Sequence, residues 1–448
     1  MLPTLADLAD DLASGRTTAR ALVEACIARI DDPDGEGGRA FVRVNREAAR
    51  AAADAQDMLR KAGAAPSPFA GIPIGVKDLF DVAGEVTAAG SKVLRDSPPA
   101  KADAPAVARL RRAGFVLVGR NTMTEFAYSG LGMNPHTGNP AAPFERATTP
   151  RVSGGSSSGG AVAVADGMAH AALGTDTGGS CRIPAAFCGL VGFKPTARRV
   201  PREGAFPLST TLDSIGPIAR SVACCAALDA ILSGGDAPLP ARPVAGLRLL
   251  VPTTVALDGL DAPVAAAFEA ALERLAKAGA HIVSAPFPEF GEIATLNAKG
   301  GFAAAESYAV HRRLLAEKGD GYDPRVSVRV RRGAEQSAAD YVELVAARAG
   351  LVARAAARLA GFDALALPTV AIAPPRIADL LTDDDAYGRA NLMALRNPTL
   401  INMIDGCAIS LPLTGEGGLP AGLMLAGAPG TDAALFAVAA GVEAALKD

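Results

Sequence analysis

The sequence has no tryptophan, and aromatic residues make up only 4% of it, so it offers no stacking platform for a ring-shaped ligand. Histidine occurs four times, at His136, His170, His281 and His311. None stands in a late glycine-rich loop. His281 opens an apolar strand and His311 falls in a helical run, which are structural placements. The six cysteines (Cys26, Cys181, Cys188, Cys224, Cys225 and Cys407) form no CxxC pair and no metal-ligand spacing; they read as small core residues of a reducing compartment. There is no basic excess. Forty-four Lys and Arg against 47 Asp and Glu leave a net charge of -3, which gives nucleic acid or an anionic membrane no electrostatic hold. No apolar run approaches the roughly 18 residues of a membrane helix. Residues 1–11 lack the basic-then-apolar layout of a signal peptide. Internal repeats and low-complexity tracts are also missing. These absences predict a cytoplasmic protein with no metal, no cofactor, no nucleic-acid partner and no membrane association.

What is present is a large apolar fraction, 50% of 448 residues, enough for a well-buried globule. Helical spacing covers 5–12, 18–30, 45–62, 103–113, 220–232, 262–278, 300–316, 336–359 and 433–446. Short apolar runs at 71–78, 115–118, 170–173, 189–195, 247–251, 281–284, 364–367, 407–413 and 421–425 read as strands. This α-then-β rhythm predicts an α/β fold: one large domain with a mixed, mostly parallel central sheet covered by helices on both faces. Residues 200–217 read as irregular and 383–390 as a polar, mobile segment. The Gly-, Asp- and Pro-rich run 234–243 marks a boundary or excursion.

The stretch that organises the chain is 151–196. Two serine-glycine clusters, Ser153-Gly154-Gly155-Ser156-Ser157-Ser158-Gly159-Gly160 and Gly174-Thr175-Asp176-Thr177-Gly178-Gly179-Ser180, flank a run of small apolar residues, which no flexible linker would contain. Glycines beside a serine let backbone amides approach a substrate closely, and consecutive N–H groups in such a turn can hold an oxyanion. A serine nucleophile beside its own oxyanion hole is the reading. Gly155-Ser156-Ser157-Ser158-Gly159 formally matches the G-x-S-x-G elbow with Ser157 as nucleophile, but that motif needs a strand before it. Here 140–150 is proline-rich and polar, and no suitable histidine exists. Lys77 remains as base. It ends the apolar run Ile72-Pro73-Ile74-Gly75-Val76, and desolvation there would lower its pKa into a useful range.

Six blocks resemble the amidase signature family: Gly-Ile-Pro-Ile-Gly-Val-Lys-Asp at 71–78, Met-Thr-Glu-Phe-Ala at 123–127, Gly-Gly-Ser-Ser-Ser-Gly at 154–159, Gly-Thr-Asp-Thr-Gly-Gly-Ser-Cys-Arg-Ile-Pro-Ala at 174–185, Cys-Gly-Leu-Val-Gly-Phe-Lys-Pro-Thr at 188–196 and Leu-Asp-Ser-Ile-Gly-Pro-Ile-Ala-Arg at 212–220. Leu-Pro-Ala-Gly-Leu at 419–423 also fits. The resemblance implies a Ser-cisSer-Lys triad of Ser180, Ser156 and Lys77. It implies an oxyanion hole at Thr177, Gly178 and Gly179 together with the Ser180 amide. It further implies a signature core over about 71–220, a substrate-shaping excursion over about 235–390, and a small-molecule amide substrate, with a homodimer as one candidate assembly. Tyr128 and Met133, in the apolar loop 121–143, are substrate-binding candidates, with a core role as the alternative. Arg182 is a third, although pairing with Asp176 to shape the loop is the favoured role. The expected reaction is cleavage of a carboxamide to a carboxylate and ammonia or an amine. Two other assignments share the triad: the glutaminase component of a tRNA-dependent amidotransferase and a biuret- or allophanate-type hydrolase. Against the glutaminase component stand Thr124 and Tyr128 in the 123–128 block and Ala197-Arg198-Arg199-Val200-Pro201-Arg202 after it.

Overall fold

A computed structural model describes residues 2–235 and 239–447. Part of the expected boundary at 234–243 therefore lies outside the described residues. Among those described, eleven strands form one sheet: β1 Phe41–Val44, β2 Pro73–Lys77, β3 Val116–Asn121, β4 Ala171–Asp176, β5 Val191–Lys194, β6 Ser214–Ala219, β7 Arg248–Pro252, β8 His281–Ala285, β9 Ala364–Pro368, β10 Cys407–Thr414 and β11 Pro420–Gly427. Their order is β1-β3-β2-β4-β6-β5-β10-β11-β9-β7-β8. The expected single α/β domain with a mixed sheet is what folds.

Its pairing departs from the expectation of a mostly parallel sheet. β3, β2 and β4 are mutually parallel, as are β9, β7 and β8. Everything between those two wings, and the β1 edge, is antiparallel. The reason is β6. Its Gly216 and Pro217 fall in 200–217, expected to be irregular, and proline in a central strand removes a ladder donor. Yet β6 lies between β4 and β5 and reverses the strand direction there. Gly216 is required: a Cβ at this position would lie 2.0 Å from the Phe193 carbonyl oxygen.

Both faces of the sheet are buried, and the side-chain alternation shows how. Ala171 and Leu173 of β4, with Ile409 and Leu425, join a core under the helices Pro105–Arg112, Val222–Ser233 and Asp432–Lys447. Ala172 faces the other way, against the helix Ser158–Ala165. Met424 and Ala426 face the helices Pro288–Leu296, Ala338–Leu359 and Asp384–Met403. The helix Ser158–Ala165, with sequence SGGAVAVA, is buried from Ser158 to Val164. A helix apolar all round belongs in a core. No helix among the described residues is long and apolar enough to cross a membrane.

The segment 235–390 supplies β7, β8 and β9 to the common sheet. One correction concerns the second half. Residues 383–390, expected to be mobile, begin the helix Asp384–Met403: the Asp383 side chain accepts the Ala386 N–H at 2.8 Å. Carboxylates crowd this segment because a helix N-terminus attracts negative charge.

The topology also sets the site. In the parallel trio, Lys77 stands opposite Asn121, and Val76 opposite Leu173. The carboxyl ends of β3, β2 and β4 thus open on one edge, where open α/β sheets gather functional groups. Leu425, fully buried at the centre of β11, tests the core. Leu425→Ala is expected to cost about 2–5 kcal/mol, read as a lower urea midpoint, whereas Met58→Ala, at a position 66% exposed, should leave that midpoint within error.

Candidate active site

Lys77 ends β2 with 1% of its surface exposed. Its Nζ lies 2.7 Å from Ser156 Oγ and 2.8 Å from Thr175 Oγ1. Among the described residues it forms no ion pair with a carboxylate. Burial pushes the amine down to about 8, and the negative charges of Asp176 and Asp213 oppose that shift without cancelling it. Uncharged, the amine has two N–H groups and one lone pair. With one N–H on Thr175, the lone pair is free for the Ser156 hydroxyl proton.

The Ser156 loop is held from several sides. The Gly155–Ser156 peptide is cis, as the resemblance implies. The Gly155 N–H donates to the Gly130 carbonyl at 2.8 Å, and the Ser156 carbonyl accepts the Thr124 N–H at 3.1 Å. Gly132, at φ 79°, lets the facing loop close: a Cβ there would lie 2.3 Å from the Gly154 carbonyl oxygen. The two serine clusters then join directly, the Ser157 N–H donating to the Ser180 carbonyl at 3.3 Å. Ser157 Oγ is itself buried near the Thr175 carbonyl, and 140–150 forms no strand, so the elbow arrangement is not built.

Ser180 precedes the helix Arg182–Cys188 and is 3% exposed. A hydrogen bond between Ser156 Oγ and Ser180 Oγ is not formed among the described residues. The expected oxyanion set needs one correction. The Gly179 N–H donates to Asp176 Oδ1 at 2.9 Å, which removes it from the set. The N–H groups of Thr177, Gly178 and Ser180 donate to no acceptor among the described residues.

Arg182 is corrected as a substrate-binding residue. It is fully buried. Its Nε and Nη2 donate to the two oxygens of Asp176 at 3.0 and 2.8 Å, and Nη2 also reaches Asn402 Oδ1 at 2.6 Å and the Pro398 carbonyl at 3.2 Å. Asp176 additionally accepts the Cys181 N–H at 3.2 Å and Asn402 Nδ2 at 3.0 Å. Burial alone would raise the Asp176 carboxyl, but the Arg182 guanidinium and the bonds from Arg182 and Asn402 hold it well below the usual carboxylate range. Met133 is corrected too. It packs with Leu131, Ile183, Phe187 and Tyr387 in a core cluster under its loop, away from the cavity described next.

That cavity, of about 470 Å³, is lined by Ser180, Thr177, Gly178, Tyr128, Phe290 and Ile293 among others. Tyr128 is thus the one substrate-binding candidate at the pocket. Behind Thr177 lies a second cavity of about 300 Å³ that touches Thr175, Phe206 and Asp213. Thr177 Oγ1 donates to Asp213 Oδ1 at 2.5 Å. Burial pushes the Asp213 carboxyl up to about 6 against the bonds it accepts from Thr177, Ser209 and Leu208. Thr175, Asp213 and Asn402 were missed from the sequence. Thr175 and Asp213 stand inside the quoted blocks and could have been asked for partners, whereas Asn402, in a distant helix, carried no signal.

The amidase family model matches residues 21–436. The chain is 40% identical to 2-amino-5-chloromuconic acid deaminase of Comamonas testosteroni, over 98% of this chain and 96% of that protein. It is 35% identical to a glutamyl-tRNA(Gln) amidotransferase component of Chloroflexus aggregans, over 95% of this chain and 93% of the relative. Among solved structures, the crystal structure of an amidase superposes with a TM-score of 0.88 at 34% identity, covering 99% of each chain.

The role of Arg182 is open to a direct test. Arg182→Met leaves the Asp176 carboxylate buried and without its cation, a change expected to cost about 3–5 kcal/mol. Thermal unfolding without any substrate should show it. A variant with wild-type thermal stability and only a raised KM would return Arg182 to the substrate pocket.

Proposed function

The chain belongs to the amidase signature family, and from that premise we propose how it hydrolyses an amide C–N bond: Ser180 as nucleophile, Ser156 as proton relay and Lys77 as base. In this reading Ser180 Oγ attacks the carbonyl carbon. Its proton passes to Ser156 Oγ as the Ser156 proton passes to neutral Lys77 Nζ. The amides of Thr177, Gly178 and Ser180 take the developing oxyanion. The proton returns through Ser156 to the leaving nitrogen, which departs as ammonia or an amine. Water then cleaves the ester on Ser180, releasing the carboxylate and restoring the hydroxyl.

The observation that carries the reading is the setting of Lys77: buried, unpaired with any acid among the described residues, and 2.7 Å from Ser156 Oγ. A lysine so placed is an amine poised to gain a proton, not a structural cation. The bond from the Ser157 amide to the Ser180 carbonyl supports the second link, because it fixes the loop of the relay serine against the loop of the nucleophile. The substrate is a small molecule, consistent with the size of the cavity beside Ser180. Six free, buried cysteines support a reducing, cytoplasmic setting. Relatives on the same framework are named as a deaminase and as part of an amidotransferase, so the framework alone does not select the acyl group. That selection belongs to the cavity.

Ser180→Ala is expected to lower ammonia release by about a thousandfold or more, and retained turnover would remove the nucleophile assignment. The pH dependence has a definite sign. The active form holds Lys77 uncharged, so kcat/KM should rise with pH, level off above about 8 and fall about tenfold per unit below it. Lys77→Met should abolish that inflection together with most of the rate. A profile in Lys77→Met that still bends near the wild-type position would assign the base elsewhere.

A further inference from the structure

The charged lining of the cavity beside Ser180 has one sign. Among the described residues that line it, Arg332 and Arg396 are the charged ones, and no carboxylate is present. The remainder is largely apolar: Leu208, Leu212, Phe290, Ile293, Leu400 and Met403.

Both guanidiniums are positioned without being neutralised. Arg396, half-buried, donates to the carbonyls of Ala256 (3.3 Å) and Asp258 and to Asn397 Oδ1 (3.0 Å). The Asp258 side chain is exposed. Arg332 donates to the Ala298 carbonyl at 3.2 Å. Neither arginine forms an ion pair among the described residues. Arginines nearby divide: Arg329 and Arg348 also donate to main-chain carbonyls, while others pair with acids. Arg354 pairs with Glu292, Arg358 with Glu289 and Arg325 with Asp384. Bonds to neutral carbonyls fix a guanidinium in place and leave its charge to act. For the half-buried Arg396, apolar walls screen that charge less than water does, and the fork geometry of guanidinium matches a carboxylate.

We propose that Arg332 and Arg396 form a carboxylate subsite, so that the enzyme takes the monoamide of a dicarboxylic acid, with an apolar spacer between the scissile carboxamide and a free carboxylate. The proposal rests on the reading of Ser180 as the acylated nucleophile. The carboxamide carbon sits at Ser180 and the spacer lies along Leu212, Phe290 and Ile293. The far carboxylate meets the arginines. Hydrolysis then yields ammonia and a dicarboxylate.

The test pairs linear monoamides, from succinamic to suberamic acid, with the uncharged carboxamides of equal chain length, and measures ammonia release. The best acid is expected to exceed its neutral partner by at least about tenfold in kcat/KM, carried by KM. Arg332→Gln, at an exposed position, should cut that acid-to-neutral ratio about tenfold, and Arg396→Gln should do the same. Because Arg396 also braces main-chain carbonyls, Arg396→Lys is the companion variant: it keeps a charge and should retain part of the ratio. Calorimetric titration of the Ser180→Ala protein with the corresponding dicarboxylates reads the subsite without turnover, and Arg332→Gln in that background should weaken binding about tenfold. Neutral amides preferred across the series, or a ratio that Arg332→Gln leaves unmoved in folded protein, would overturn the subsite and leave the amidase reading standing. Arginine-dependent dicarboxylate binding with turnover surviving in Ser180→Ala would do the reverse. Absence of dicarboxylate binding across the series overturns the subsite outright.

Discussion

The site depends on a single constraint: an amine must be buried without a counter-charge. Desolvation penalises an ammonium far more than an amine, so Lys77 is pulled towards its uncharged form by the closure of β2, Ser156 and Thr175 around it. Two hydroxyls satisfy its polar valences without fixing its charge. A carboxylate in either place would reverse the outcome, because an opposite charge within a few ångströms restores the ammonium.

That constraint gives Arg182 a meaning beyond loop architecture. Asp176 ends β4, the strand beside β2, and its negative charge is felt by Lys77. Were its oxygens free, it would be the obvious ion-pair partner for the lysine. Instead they are taken up by Arg182, Asn402 and the amides of Gly179 and Cys181. The same bonds shape the turn that carries Ser180. One buried pair thus anchors the Ser180 loop and keeps a carboxylate occupied next to Lys77. In the proposed chemistry Arg182 acts from two steps away, and it has no exposed edge for a substrate.

Much of this arrangement was legible in the sequence because it is local. Two serine-glycine clusters around a small-residue helix, and a lysine at the end of an apolar strand, are signals carried by short windows. The parts that were misread depend on distant partners. β6 was hidden because Gly216 and Pro217 argue against a strand until one sees the Phe193 carbonyl pressed against the Gly216 backbone. Its reversal of direction then made the sheet less parallel than the α/β rhythm implied. Gly179 was expected in the oxyanion set together with its neighbours; only the folded turn brings Asp176 Oδ1 to its amide. Met133 and Tyr128 stand five residues apart in one apolar loop, and composition cannot tell which faces the cavity. The polar start of the helix Asp384–Met403 looked like loop because capping residues and mobile residues share a vocabulary.

The cavity follows from the same electrostatic logic as the base. Its Phe290, Ile293, Arg332, Arg396 and Leu400 come from 288–403, far in sequence from the serine clusters, so binding can change without disturbing proton transfer. It is not free in every respect. Any acid on its walls would add to the fields of Asp176 and Asp213, which already favour protonated Lys77. A substrate that brings its own carboxylate would raise the lysine's proton affinity if that charge were left uncompensated in an apolar pocket. In the proposed subsite the two guanidiniums compensate that charge where it binds, away from Lys77.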